Sequence, residues 1–227
     1  MKMLALSGWG QPYDALASVL PEATHFAYAH HDTVDAALAD LGHTGKGYET
    51  VVGWSLGGQL AARAIAEGLI APKKLVLIAA PFQFVEIDSN GLGMGRETFA
   101  QFFHNFVHHP LRTLHKAWNL IHYDDRQAML VQSMLGQFSM DAVLANDWLK
   151  WLSMIDGLSA EDLDFSRFPS TLLVHGANDV VVSPAQSEAY ARCIPAARLE
   201  VWEGCGHAPH WHDTEKLRAL IKEHIRV

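Results

Sequence analysis

The sequence predicts an α/β protein, a mostly parallel sheet of about six strands with helices on both faces and one helical insertion. Three observations carry this. Short β-type runs alternate with amphipathic stretches as far as about residue 82. The alternation resumes from about residue 164. Between them strand signals vanish, and aromatic, Leu and Met residues recur at helical spacing. The reading assigns 1–82 and 164–227 to the core and 83–163 to a helical cap.

The elements follow in order. Met3 to Leu6 reads as a strand, and Pro12 to Leu20 as a short helix after a loop. Thr24 to Ala29 reads as a strand, and Thr33 to Leu41 as a helix capped by Thr33 or Asp32. Thr50 to Gly53 reads as a strand running into Ser55. Gln59 to Glu67 follows as a helix closed by Gly68 at its C′ position. Leu75 to Ala79 is an apolar strand stopped by Pro81. The insertion carries three aromatic or aliphatic groupings: Phe99, Phe102, Phe103 and Phe106; Met129, Leu130, Met134 and Leu135; Trp148, Leu149, Trp151 and Leu152. These fit about four helices, and the phenylalanine stripe reads as core before it reads as an acyl tunnel. Thr171 to His175 is a strand, Pro184 to Cys193 a helix, Leu199 to Trp202 a strand and Thr214 to His224 the last helix.

A chain of 227 residues with 49% hydrophobic and 19% charged side chains is long enough to bury one sizeable core. The apolar runs are too short to span a bilayer, and the N-terminal one is cut at Ser7-Gly8, so the reading is a cytoplasmic protein without membrane contact. The net charge of −8 argues against general nucleic-acid binding while leaving room for a local basic patch. Cys193 and Cys205 are too few for a disulfide framework and are expected to stay reduced. With 14 histidines, a His near any site means little by itself. No metal or other cofactor is expected. His30-His31 and His108-His109 tempt a metal reading, but neighbours on a helix or strand point apart, and no zinc-type spacing joins them.

The chemistry begins at Gly53-Trp54-Ser55-Leu56-Gly57-Gly58, a G-x-S-x-G pattern between a short strand and a helix. That context is a nucleophile elbow, which presents the serine Oγ at the C-terminal edge of a sheet. It points to a serine hydrolase with the α/β-hydrolase fold. A serine hydroxyl needs a base and an orienting acid, which this fold supplies in the order Ser, Asp/Glu, His. Asp179 follows the strand ending at His175 on a Gly-containing turn, and reads as the acid. Asp156, Asp162 and Asp164 compete but follow no convincing strand. His207, in Gly-Cys-Gly-His-Ala-Pro, reads as the base, with His210 and His212 as close rivals. Two backbone N–H groups should hold the oxyanion. Leu56, after the nucleophile, supplies one, and Trp9 in the loop after the first strand the other.

Ser7-Gly8-Trp9-Gly10, the Gly53–Gly58 run, Asp179-x-x-Val182 and Gly206-His207-Ala208-Pro209 together resemble the pimeloyl-acyl-carrier-protein methyl ester carboxylesterases of biotin synthesis. The resemblance covers most of the chain and thins through the insertion. It implies Ser55 as nucleophile, Asp179 as acid and His207 as base, with Trp9 and Leu56 forming the oxyanion hole and Trp54 beside the substrate. It also implies a cap that shapes an acyl pocket and offers basic residues to an acidic carrier protein. Arg96, Arg112, Lys116 and Arg126 are the candidates. Two departures stand out: Ser7-Gly8 replaces the usual His-Gly, and His30-His31-Asp32-Thr33 stands where the family has a Pro-Gly-x-Gly loop.

The expected function is hydrolysis of a small acyl ester through an acyl-enzyme, the ester being presented on an acyl carrier protein, by a monomer. A general short-chain esterase or a carbon–carbon bond hydrolase of the same fold is the alternative within the enzymes. A ligand-binding module without turnover is the alternative outside them.

Overall fold

The computed structural model describes residues 2–87, 91–139 and 141–226. Six strands form one sheet in the order β2-β1-β3-β4-β5-β6, and every pairing is parallel. They are β1 (Met3–Leu6), β2 (Thr24–His25), β3 (Thr50–Trp54), β4 (Lys74–Ile78), β5 (Ser170–Gly176) and β6 (Arg198–Trp202). The helices α1 (Val34–Thr44), α2 (Leu56–Ala66), α7 (Ala185–Cys193), α8 (Pro209–His212) and α9 (Thr214–Arg226) accompany them. Between β4 and β5 lie α3 (Arg96–His108), α4 (Pro110–Ile121), α5 (Ala128–Leu135) and α6 (Ala142–Met154).

The continuous apolar strands have the composition of a sheet buried on both sides. Because strand side chains alternate, Leu4, Leu6, Val51, Leu75, Leu77 and Leu173 fall in one core with α1, α2 and α7. Their neighbours Met3, Ala5, Val52, Trp54, Val76, Ile78, Leu172 and Val174 fall in a second core with α8 and α9. The helical insertion between β4 and β5 docks mainly on the first, through Phe106, Leu114, Trp148 and Trp151. Ile121, Val131 and Leu135 join the second.

Several predicted bounds need correction. The expected helix over Pro12 to Leu20 is a chain of turns, closed by three-residue bonds such as Ala17 N–H to Asp14 O at 2.8 Å. Arg218 of α9 donates to the Val19 and Ser18 carbonyls at 2.8 and 3.0 Å, so these two acceptors are satisfied without a helix. The expected strand from Thr24 to Ala29 pairs over Thr24 and His25 alone. Beyond them the chain is drawn toward the cap and the β1 loop: the Trp151 indole donates to Ala29 O at 3.0 Å, and Tyr28 Oη to Ser7 O at 2.7 Å. At α1 the cap residue is Thr33, whose side chain accepts from Ala36 N–H. Gly68, at φ +74°, terminates α2 in the left-handed conformation expected of C′.

The strand order places the site. From β1 the chain moves out to β2, then crosses back over β1 to β3. The C-terminal ends of β1 and β3 therefore flank the topological switch point, where crevices open in parallel sheets. The α2 helix must sit very close behind it. A Cβ on Gly57 would lie 2.5 Å from the carbonyl oxygens of both Leu6 and Ser7, and one on Gly53 would lie 2.4 Å from the Gly58 Cα. Gly57→Ala therefore forces α2 away from β1. We expect a loss of about 1–3 kcal/mol of stability, read from urea unfolding, with the two-state slope retained.

Under the switch point His210 is fully buried between the rings of Trp54 and Trp211, each with its centroid at 4.4 Å. Neither ring nitrogen has a hydrogen-bond partner among the described residues. Burial, with a smaller contribution from His207, holds its pKa well below 6.5. The folded protein thus refuses a proton that the unfolded chain binds below about pH 6.5, so stability falls as pH drops through that region. His210→Phe keeps an aromatic ring and removes the titration. The shift in urea midpoint between about pH 7.5 and about pH 5.5 should shrink relative to the parent chain.

Candidate active site

Ser55 stands between β3 and α2 with φ 53° and ψ −126°, a backbone conformation that a non-glycine residue adopts only under constraint. Its N–H donates to Ile78 O at 2.9 Å, and its carbonyl accepts from Gly58 N–H at 2.9 Å, so both sides of the turn are pinned. The residue is only 6% exposed. Leu56 is the first residue of α2, and its N–H is one of the donors a helix N-terminus leaves without an intrahelical acceptor. The β1 loop is the near neighbour: a Cβ on Gly8 would come within 3.1 Å of the Ser55 Cβ.

The helices between β4 and β5 grip that loop from two sides. Trp9 Nε1 donates to Trp148 O at 2.9 Å, and its ring meets Phe102, Phe106 and Trp148 edge-on. Trp118 Nε1 donates to Gly10 O at 3.1 Å. The Trp9 indole is thus turned into the insertion.

Asp179 and His207 come together. His207 Nδ1 lies 2.7 Å from Asp179 Oδ2, with both side chains almost wholly buried. The carboxylate is otherwise saturated. Oδ1 accepts from Val181 N–H at 2.8 Å and Val182 N–H at 2.9 Å, and Oδ2 also lies 3.1 Å from His175 Nε2. Burial alone would raise its pKa. The charge of His207 and the hydrogen bonds from His175 and His207 outweigh it and hold the carboxyl well below the usual range. An ionised Asp179 makes Nδ1 of His207 the protonated nitrogen and leaves Nε2 as the basic one. His207 is tied to the elbow through Trp54, whose indole donates to His207 O at 3.0 Å with ring centroids 5.7 Å apart.

The rivals fall elsewhere. His212 Nδ1 pairs with Asp125 Oδ1 at 2.7 Å, and His210 is the buried ring described above. Asp156 and Asp162 are exposed, and Asp164 caps a short turn by accepting from Ser166 N–H. His175 and Asp125 were not singled out from the sequence. His175 could have been: it is a polar residue at an inward position of an apolar strand, which demands a partner.

The phenylalanines divide. Phe106 and Phe99 are buried in the core, while Phe102 and Phe103 are half-buried against it. The basic cap residues do not form one patch. Arg96 borders a cavity of about 410 Å³ with Phe99 and Phe103. Arg112 and Lys116 share another of about 220 Å³ on α4. The Arg126 side chain packs on Gly204, where a Cβ would meet its Cδ at 2.4 Å. A third, mostly apolar cavity of about 330 Å³ adjoins the β1 loop at Gly8, walled by Tyr28, Leu144 and Trp148.

Among the described residues, two side-chain groups have metal-ligating composition and proximity. In His30, His31 and Asp40 the ligand atoms lie within 4.8 Å of one another. This corrects the expectation that the paired histidines diverge: they sit at a turn, not on a helix or strand, and their rings lie 4.1 Å apart. The second group is Asp125, Cys205 and His212. There the carboxylate already accepts Gly206 N–H, Gln127 N–H and the His212 ring, and burial followed by the charges of Asp125 and Asp179 pushes the Cys205 thiol far up, away from the thiolate a metal requires.

No helix among the described residues is long and apolar enough to cross a membrane. The chain is 30% identical to the pimeloyl-[acyl-carrier protein] methyl ester esterase of Aromatoleum aromaticum, over 99% of this chain and 98% of that one. It is 32% identical to the enzyme of the same name from Nitrosomonas europaea, over 78% and 71% of the two chains. An esterase from Exiguobacterium antarcticum superposes with a TM-score of 0.83 over all of this chain and 92% of its own, at 16% identity, which is a likeness of fold. The model of the alpha/beta hydrolase family matches residues 4–220, nearly the whole length, and this chain belongs to that family.

Proposed function

We propose that this chain is a serine carboxylesterase that hydrolyses the methyl ester of a pimeloyl group carried on acyl carrier protein. The observation that carries the catalytic half is the His207–Asp179 pair at 2.7 Å, held by a saturated carboxylate at the edge where the strained Ser55 emerges. The substrate half rests on the two relatives named for that reaction.

In this reading Ser55 Oγ attacks the ester carbonyl carbon as His207 Nε2 takes its proton. The carbonyl oxygen becomes an oxyanion held by the N–H groups of Leu56 and Trp9, with Trp54 beside the site. The tetrahedral intermediate collapses, and the alkoxide leaves with the proton from His207. Water, deprotonated by His207, then attacks the acyl-enzyme. The acid departs and Ser55 recovers its proton. Asp179 keeps the imidazole oriented and stabilises its charged form throughout. The apolar cavity beside Gly8 would take the acyl chain. Residues 83–163 act as the cap, and no metal or cofactor has a step in this chemistry. A carrier protein is acidic, so Arg112 and Lys116, exposed one turn apart on α4, are the contacts best placed together; Arg96 and Arg126 lie apart from them.

Ser55→Ala should lower kcat for p-nitrophenyl butyrate by roughly 10⁴-fold or more with the fold unchanged by circular dichroism. Residual turnover close to the parent value removes Ser55 from the chemistry. Expression should also rescue a biotin auxotroph lacking this esterase step. Strong esterase activity without rescue assigns a general short-chain ester substrate instead, and absence of fluorophosphonate labelling at Ser55 assigns a non-catalytic binder.

A further inference from the structure

We propose that Asp125, on the turn that leaves α4, is a positioning residue for His207: its buried carboxylate fixes the Gly204–His207 loop in the geometry from which the base serves Ser55. The proposal rests on His207 being that base.

The Asp125 side chain has no exposed surface. Its Oδ2 accepts from the N–H of Gly206, the residue immediately before His207, at 2.7 Å. Its Oδ1 accepts from Gln127 N–H at 2.6 Å and from the His212 ring at 2.7 Å. A carboxylate with this set of donors is rigid and makes charge-assisted bonds, roughly twice as strong as neutral ones.

The surrounding contacts run the same way. His207 N–H donates to Ile121 O at 3.1 Å, and Arg126 N–H donates to Gly204 O at 2.8 Å. A Cβ on Gly206 would lie 2.8 Å from Ile121 O and 3.4 Å from Asp125 Oδ2, so the two segments touch along their backbones. The preceding residue, Asp124, accepts from Asn178 Nδ2 at 2.7 Å, and Asn178 Oδ1 accepts from Gly204 N–H at 3.1 Å. Asn178 is the neighbour of Asp179. One turn of the insertion therefore holds both loops that carry the acid and the base.

Nothing in this turn faces the cavity beside Gly8. Loss of the carboxylate leaves Gly206 N–H without its acceptor and the loop free to shift by tenths of an ångström. Such a shift misplaces a proton acceptor without altering substrate contacts. It lowers kcat and spares KM.

The test is p-nitrophenyl butyrate kinetics on Asp125→Ala and Asp125→Asn, with active sites counted by exhaustive fluorophosphonate titration so that misfolded protein is excluded. Asp125→Ala should lose about 100-fold in kcat per titrated site, with KM within about 2-fold. Asp125→Asn keeps one oxygen for Gly206 N–H and should lose only about 10-fold. It also carries the test alone if the alanine variant does not fold. A parent-like kcat per site in Asp125→Asn or Asp125→Ala, equal losses in the two, or a loss confined to KM overturns the proposal. If the parent chain itself is not labelled at Ser55, the catalytic reading has failed; if it is labelled and the Asp125 variants turn over like it, only the positioning role has failed.

Discussion

The close approach of α2 to β1 and β3 is the constraint on which the rest depends. Three glycines permit it: Gly53 against Gly58, Gly57 against the Leu6 and Ser7 carbonyls, and Gly58 against Ala80. Without side chains there, the strand can reverse into a helix within one residue, and that residue is Ser55 with its positive φ. The strain is local, and its support comes from the surrounding sheet, whose carbonyls and amides leave the turn no alternative path. The same approach brings the β1 loop against Ser55, so the proposed nucleophile and its proposed oxyanion donors are set by one packing event.

The proposed acid is handled differently. Asp179 is buried, and burial opposes its charge. Two amides of its own loop and two histidines restore what water would have supplied. His175 serves here as a buffer of geometry: its Nε2 faces both Asp179 Oδ2 and Val182 O, which fixes the proton on that nitrogen, while Nδ1 meets the Ser187 hydroxyl at 2.6 Å. The proposed base therefore meets an anion that cannot rotate away.

Much of this was legible in the amino-acid order, for physical reasons. Buried parallel strands write themselves as short apolar runs, and β1, β3, β4, β5 and β6 fall within one or two residues of where such runs stand. Gly57, Gly58, Asp179 and His207 are visible because each comes shortly after a strand end. Segments ruled by distant partners were not. Ser18 and Val19 are held by Arg218, and Ala29 by Trp151, partners roughly 200 and 120 positions away that no local pattern encodes. Asp125 escaped for the same reason. It sits in a polar stretch, Tyr-Asp-Asp-Arg, that reads as an exposed turn until the loop it serves is folded onto it.

The tryptophans that clasp the β1 loop bear on how such a chain can change over time. Trp148 and Trp118 belong to the insertion, yet they determine where Trp9 and Gly10 lie. An insertion joined in this way is not an interchangeable part. A cap transplanted from a relative would bring its own grip on the loop beside the serine, and substrate range and turnover would be inherited together. Diversification here has to proceed by substitutions that keep both clasps closed, which favours gradual reshaping of the cavity walls over wholesale exchange of the helices above it.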